Sequence, residues 1–209
     1  MFEIARNLFS AYCTQLKTGG VIHAGHAEYQ SEIAYRLGHM NFILARIKHL
    51  TVRTAQSDQA AQLQYDSYLT AVPPAALQTS AEGLAGYCEH LKLTMPLILH
   101  EVEIGVLTEA FYYCAARVLN VLTRVKPFPG LGSFKADGVR DVRNKLLEHP
   151  EGSDSTVIEV SSSFDFSSGP VIKGVRVASK VSVFPDKGLY INAGEFAHNL
   201  EAKLRALIK

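Results

Sequence analysis

Met95–Arg124, MPLILHEVEIGVLTEAFYYCAARVLNVLTR, is the stretch whose reading decides the fold of this chain. Ile98, Val102, Val106, Phe111, Cys114, Val118, Val121 and Leu122 recur in it at helical spacing. They are distributed broadly enough for burial on more than one side. That pattern predicts a long helix inside a bundle. Pro96 suits the first turn of such a helix, where its missing N–H costs no hydrogen bond.

A second long helix is expected upstream, over about residues 26–54. Ile33, Leu37, Met40, Leu44 and Ile47, with Tyr29, form its apolar stripe. The two are expected to pack antiparallel. A first helix over residues 2–17 carries Ile4, Leu8, Tyr12 and Leu16, and Thr18-Gly19-Gly20 stops it. Ser57–Leu69 reads as a weaker, more polar helix, and Val72-Pro73-Pro74 breaks the chain. Thr79–Leu91 reads as a separate helix, with Thr79 or Ser80 as its cap. Lys126-Pro127-Phe128-Pro129-Gly130-Leu131-Gly132 cannot be helical, and a short helix over about 137–148 follows it.

Composition changes after Pro150. Glu151–Ser155 is turn-rich, and Thr156–Val160 and Val171–Val177 have the β-branched character of strands. Phe164–Phe166 extends the first strand, and Gly188–Asn192 offers a third. An amphipathic helix with Phe196, Leu200, Leu204 and Ile208 closes the chain. The fold class is therefore mainly α: a helical bundle over 1–150, with a small β-hairpin and terminal helix appended over 151–209.

Hydrophobic residues make up 47% of the 209 and charged residues 20%, as in ordinary globular proteins. No apolar run reaches the roughly 18 residues of a membrane span. Met1–Arg6 lacks a basic leader followed by an apolar core, so a signal peptide is not expected. Cys13, Cys88 and Cys114 each sit in an apolar helical context, which predicts buried free thiols and a cytoplasmic setting. The net charge of +1 excludes a wholesale polyanion binder. Arg117, Arg124, Lys126, Lys135, Arg140, Arg143 and Lys145 face only Asp137 and Asp141, so the segment 117–145 carries +5. It reads either as a phosphate-attracting patch or as a set of solvated helix faces.

The chemistry concentrates in Val139–Pro150, VRDVRNKLLEHP. Val139, Val142 and Leu146 can face a core, and Asp141 and Lys145 form a supportive i,i+4 pair. Pro150 pushes His149 out of helical geometry. On an unbroken helix Arg143 and His149 would lie about 120° apart, and the break releases His149 from that rotation. Arg143 can hold a phosphate bidentately, His149 can exchange a proton near neutral pH, and Asn144 can orient either. Without a ligand, His149 reads equally well as a helix C-terminal cation favoured by the dipole.

Arg143-Asn144 followed by four residues and His149 resembles the Arg-polar…His signature of HEPN domains, a helical family named for higher eukaryotes and prokaryotes nucleotide-binding. The match covers about a dozen residues, supported by helix order over roughly 20–150. The resemblance implies a metal-independent endoribonuclease acting in toxin–antitoxin or defence systems, with Arg143, His149 and Asn144 as catalytic residues. It also implies a homodimer, since two Arg/His pairs then share one cleft around single-stranded RNA, and an antitoxin protein as partner. The alternative is a non-catalytic HEPN-like module that binds a nucleotide or a protein. Arg140 and Lys145 are candidate substrate-binding residues, and so are Tyr113, which can stack a base, and Arg117 on the same helix face.

Other chemistries find less support. His23 and His26 have no convincing further ligands, and His100-Glu101 lacks the second histidine of a helical zinc site. No metal or cofactor is expected. Ser161–Ser163 lacks nucleophile-elbow glycines, and Gly130-Leu131-Gly132 is no phosphate loop.

Overall fold

The computed structural model describes residues 1–21, 24–71, 81–125, 127–136, 139, 156–159, 164–165, 171–179 and 187–208. Their order is α1 (Phe2–Thr18), a 3-10 turn (Ala24–His26), α2 (Ala27–Ala71), α3 (Ala81–Asn120) and a π-helical turn (Val121–Val125). β1 (Thr156–Glu159), β2 (Phe164–Asp165), β3 (Val171–Ser179), β4 (Lys187–Asn192) and α4 (Ala193–Leu207) follow. The described chain is mainly helical. Among its described residues, no helix is long and apolar enough to cross a membrane.

Two compact units are present. One joins Met1–Ala45 with Gly105–Lys209, and the other is Arg46–Ile104. This grouping puts both sides of residue 150 in one unit. The reason is visible in the packing of α4 against α1. The terminal helix is thus part of the N-terminal core.

In the first unit α1 buries Phe2, Ala5, Phe9, Tyr12 and Cys13. Its period is as expected, but its phase differs: Ile4 is exposed. The aromatic residues win because each removes more apolar area from water and finds a ring partner. Phe2 meets Phe111 of α3 and Phe196 of α4 edge-on, with centroids 5.9 and 5.7 Å away. α1 ends in a Schellman cap, in which the N–H of Val21 donates to Leu16 O at 2.9 Å and that of Gly20 to Lys17 O at 3.1 Å. Gly20 holds the left-handed conformation this cap requires, at φ 67°.

α2 runs as one element through the segment read as two helices, 26–54 and 57–69. Ile33, Leu37, Met40 and Leu44 are buried in the first unit, as their spacing predicts. α3 likewise joins the two segments 79–91 and 95–124. Pro96 lies inside it, not in its first turn. Pro96 is exposed, so water can take the carbonyl that proline leaves without an N–H donor. Val102 and Val106, expected in the buried stripe, are exposed.

The loop after α3 is a packed structure. Phe128, Leu131 and Phe134 are buried at intervals of three. The N–H groups of Leu131 and Phe134 donate to Phe128 O and Leu131 O, each at 2.9 Å. Gly130 between them has φ 74°. Tyr12 donates its hydroxyl to Pro129 O, tying α1 to this loop. Phe128 meets Phe9 at 5.3 Å, and Phe134 stacks on Phe196 at 5.8 Å.

A two-stranded hairpin is not what the C-terminal backbone forms. The strands make one four-stranded antiparallel sheet. β1 and β2 both pair with β3, through Thr156–Ser179 to Glu159–Arg176 and through Phe164–Ile172 and Asp165–Val171. β4 pairs with the same β3 residues, from Val171–Asn192 to Val177–Lys187. A strand has two edges, so β1 and β2 share one and β4 takes the other. The β3–β4 register shifts between Lys173 and Val175, at Gly174, where a bulge is tolerated. β4 leads directly into α4, whose cap Asn192 accepts the Glu195 N–H at 2.9 Å.

In the second unit α2 and α3 are antiparallel. Arg46 meets Glu103, and Thr54 meets His100. Ile47, Leu50, Ala61 and Ile104 are buried there.

Candidate functional site

Arg140, Arg143, Asn144, Lys145 and His149 lie outside the described residues, as does the predicted helix over 137–148 apart from Val139. Val139 is helical and fully buried, as expected of the first core-facing position of that segment. It lines a cavity of about 240 Å³ with Lys135, Ala136, Asn192, Glu195, Phe196 and Asn199. Lys135, Ala136 and the start of α4 therefore surround this cavity beside Val139.

The other two substrate-binding candidates, Tyr113 and Arg117, are described in full. They stand four residues apart on α3. Across from them on α2 stand Glu32 and Arg36, also four apart, and the antiparallel crossing joins the two pairs. Arg117 donates from Nε to Glu32 Oε1 at 2.6 Å and from Nη2 to Oε2 at 3.0 Å. This fork matches guanidinium and carboxylate geometry. The hydrogen bond from Arg117 holds the Glu32 carboxyl below its ordinary range, and the same bond raises Arg117. Both side chains are only partly buried. Arg117 is thus held by a carboxylate, and a phosphate would have to displace Glu32 to use it.

Tyr113 remains partly exposed, with the Arg36 guanidinium 5.0 Å from its ring centre. The same guanidinium lies 5.8 Å from the ring of Tyr35. Its Nη1 approaches Cys114 Sγ at 4.0 Å, and its Nε is buried without a hydrogen-bond partner among the described residues. Tyr35 in turn packs on His39, with centroids 4.1 Å apart. One face of Tyr113 is therefore already occupied by a cation–π contact. A base could stack only on what is left. Sequence reasoning found Tyr113 and Arg117 but missed Glu32 and Arg36. Each pair shows an i,i+4 spacing, which was a legible signal, yet only the crossing of α2 and α3 assigns partners.

Of the basic segment 117–145, Arg124 and Lys135 are described as exposed and Arg117 is paired. Cys13 and Cys114 are buried free thiols. Burial pushes Cys13 up to about 12, against a smaller lowering by Lys17, and burial also raises Cys114 against the opposing effect of Arg36. His26 is buried edge-on against Phe128 at 5.2 Å, so it belongs to the loop packing. His23 lies outside the described residues. Among the described residues, no three His, Cys, Asp or Glu side chains come together as a metal site.

No family model, curated protein or solved structure matches this chain.

Proposed function

We propose that this chain is a HEPN-like helical protein with metal-independent endoribonuclease activity, working as a homodimer on single-stranded RNA. The observation that carries this reading is the Arg143-Asn144…His149 spacing, which follows in sequence the buried helical residue Val139 and the two long helices α2 and α3. Metal-free RNA cleavage needs a base for the 2′-hydroxyl, a cation for the pentavalent phosphate and an acid for the leaving 5′-oxygen. His149 can move the proton, Arg143 can stabilise the phosphate charge, and Asn144 can orient either. One chain holds too few such groups, so two copies share the work. Arg140 and Lys145 supply phosphate contacts. An antitoxin partner and a role in defence follow from the same resemblance, and the cysteine context adds a cytoplasmic location.

The test is cleavage of single-stranded RNA by the purified chain in EDTA. The expected products carry 2′,3′-cyclic phosphate ends, and DNA is not cut. His149→Ala and Arg143→Ala each lower the rate by at least about 10², and Asn144→Ala lowers it less. Cleavage unchanged in His149→Ala overturns the assignment of roles.

The engagement of Arg117 by Glu32 and of Tyr113 by Arg36 favours a second reading, a non-catalytic HEPN-like module that binds a nucleotide or protein. RNA retained without cleavage supports that second reading.

A further inference from the structure

The cavity beside Val139 has two kinds of wall. Phe196 and Val139 line it and are buried, so they form its inner, apolar side. The Phe196 ring is fixed there, because it stacks on Phe134 and meets Phe2 edge-on. Lys135, Glu195 and Asn199 line the same cavity and are exposed, so they form its mouth. Its volume of about 240 Å³ is that of about eight water molecules in the liquid. That is room for a molecule of roughly ten non-hydrogen atoms.

The mouth carries one charge of each sign. Lys135 comes from the loop after α3, and Glu195 from the first turn of α4. Among the described residues neither forms an ion pair, although both border one small space. Two opposite charges that border a cavity without meeting can each take a partner from a single guest. An ammonium group suits Glu195, and a carboxylate suits Lys135. Amides stand beside them. The Oδ1 of Asn192 accepts the Glu195 N–H at 2.9 Å, which leaves its amide N–H groups as donors. Asn199 lies one turn beyond Glu195 on α4 and offers both a donor and an acceptor. The charges sit at the mouth and the apolar walls sit within. The guest therefore carries both ionic groups at one end and hydrocarbon at the other.

We propose that this cavity binds a free α-amino acid with an apolar side chain. The ammonium group meets Glu195, the carboxylate meets Lys135, and the side chain lies against Phe196 and Val139. Leucine is of the size the volume admits. A guest with one charge leaves either Lys135 or Glu195 without a partner. An ω-amino acid puts its methylenes between its charges, at the mouth, where no apolar wall covers them. All the lining residues belong to one compact unit. This inference is independent of the ribonuclease reading, in which Lys135 and Glu195 have no role. Its failure would leave that reading's own cleavage test standing.

Isothermal titration calorimetry of the full chain with L-leucine tests it. The expected dissociation constant is below about 1 mM. Isocaproate lacks the ammonium group of leucine, and isoamylamine lacks its carboxylate. Each is expected to bind at least about tenfold more weakly than leucine. Glycine, which leaves the apolar wall uncovered, is expected to lose at least about as much. Glu195→Gln and Lys135→Met are each expected to weaken leucine at least about tenfold. Helical circular dichroism should be unchanged in both, because both side chains are exposed. The variants also tell the two ends of the guest apart. Glu195→Gln should bind isocaproate no more weakly than the wild type does, and Lys135→Met should do the same with isoamylamine. No binding of leucine up to about 10 mM overturns the proposal. Leucine binding that both variants leave unaltered takes place elsewhere and also overturns it. Isocaproate bound as tightly as leucine means a simple anion site, and ε-aminocaproate bound as tightly means a different spacing of charges. Either result overturns the assignment of an α-amino acid.

Discussion

Replacing Gly130 by alanine is expected to destabilise the first unit, for two separable reasons. Gly130 has φ 74°, a conformation that costs an L side chain about 1–2 kcal/mol. A Cβ at this position would also stand 2.6 Å from Leu207 Cδ2 and 3.2 Å from Cδ1. Leu207 ends α4 and its methyl groups are the far end of a flexible side chain, so it can rotate away. An off-rotamer Leu costs about 0.5–1.5 kcal/mol. Alanine returns about 0.4–1 kcal/mol by restricting the unfolded chain. The net loss is about 0.5–3 kcal/mol, or a fall in Tm of about 1–12 °C for a chain of this length. Urea unfolding followed by circular dichroism at 222 nm measures it. The Leu207→Ala background separates the two terms: without the leucine methyls, Gly130→Ala should cost about 0.5–1 kcal/mol less. Gly132→Ala is the control. Its Cβ would meet Pro127 Cβ at an ordinary 3.8 Å and its φ is not positive, so a change within about 0.5 kcal/mol is expected. A neutral or stabilising Gly130→Ala would refute the left-handed turn. A cost identical with and without Leu207 would refute the approach of α4 to the loop.

Further expectations concern Glu32 and the thiols. Glu32 has a folded pKa lowered from 4.5 chiefly by the Arg117 hydrogen bond. Its ionic contribution is therefore fully present above 4.5 and is lost as pH falls through the lowered value. The stability gap between wild type and Glu32→Gln should be about 0.2–1 kcal/mol at pH 7, since the pair is partly exposed, and should narrow in acid. A gap that is constant with pH would mean that the carboxylate charge contributes nothing. Cys13 and Cys114, buried and raised by burial, should resist iodoacetamide at pH 8 in the native protein and react fully in denaturant. Rapid native labelling of Cys13, read by peptide mass spectrometry, would contradict the packing of α1.

Much of the helical architecture was legible in the residues. The stripe Ile33, Leu37, Met40, Leu44 and Ile47 is buried as its period demands, because a repeat of three and four positions one face whatever surrounds it. The stop at Gly19-Gly20 and the closing helix with Phe196, Leu200 and Leu204 were legible for similar local reasons. Phase was less accessible. Ile4 and Phe2 compete for the same core, and Phe2 is the one buried because Phe111 and Phe196 lie opposite it, far away in sequence. Breakers misled where their cost was light: Pro96 sits inside α3, at a surface where water can satisfy the carbonyl.

The candidate site divides in the same way. Its motif is a matter of spacing, so Arg143, Asn144 and His149 could be singled out from the chain alone. Residue type and i,i+4 spacing likewise pointed to Tyr113 and Arg117. Only the tertiary structure decided that Glu32 holds Arg117 and that Arg36 covers Tyr113, because those partners are 85 and 77 positions away in the chain. It also decided which apolar face of α3 is buried and which is left to solvent. Both faces have the same period, and a local pattern carries no information about which long-range neighbour will cover it.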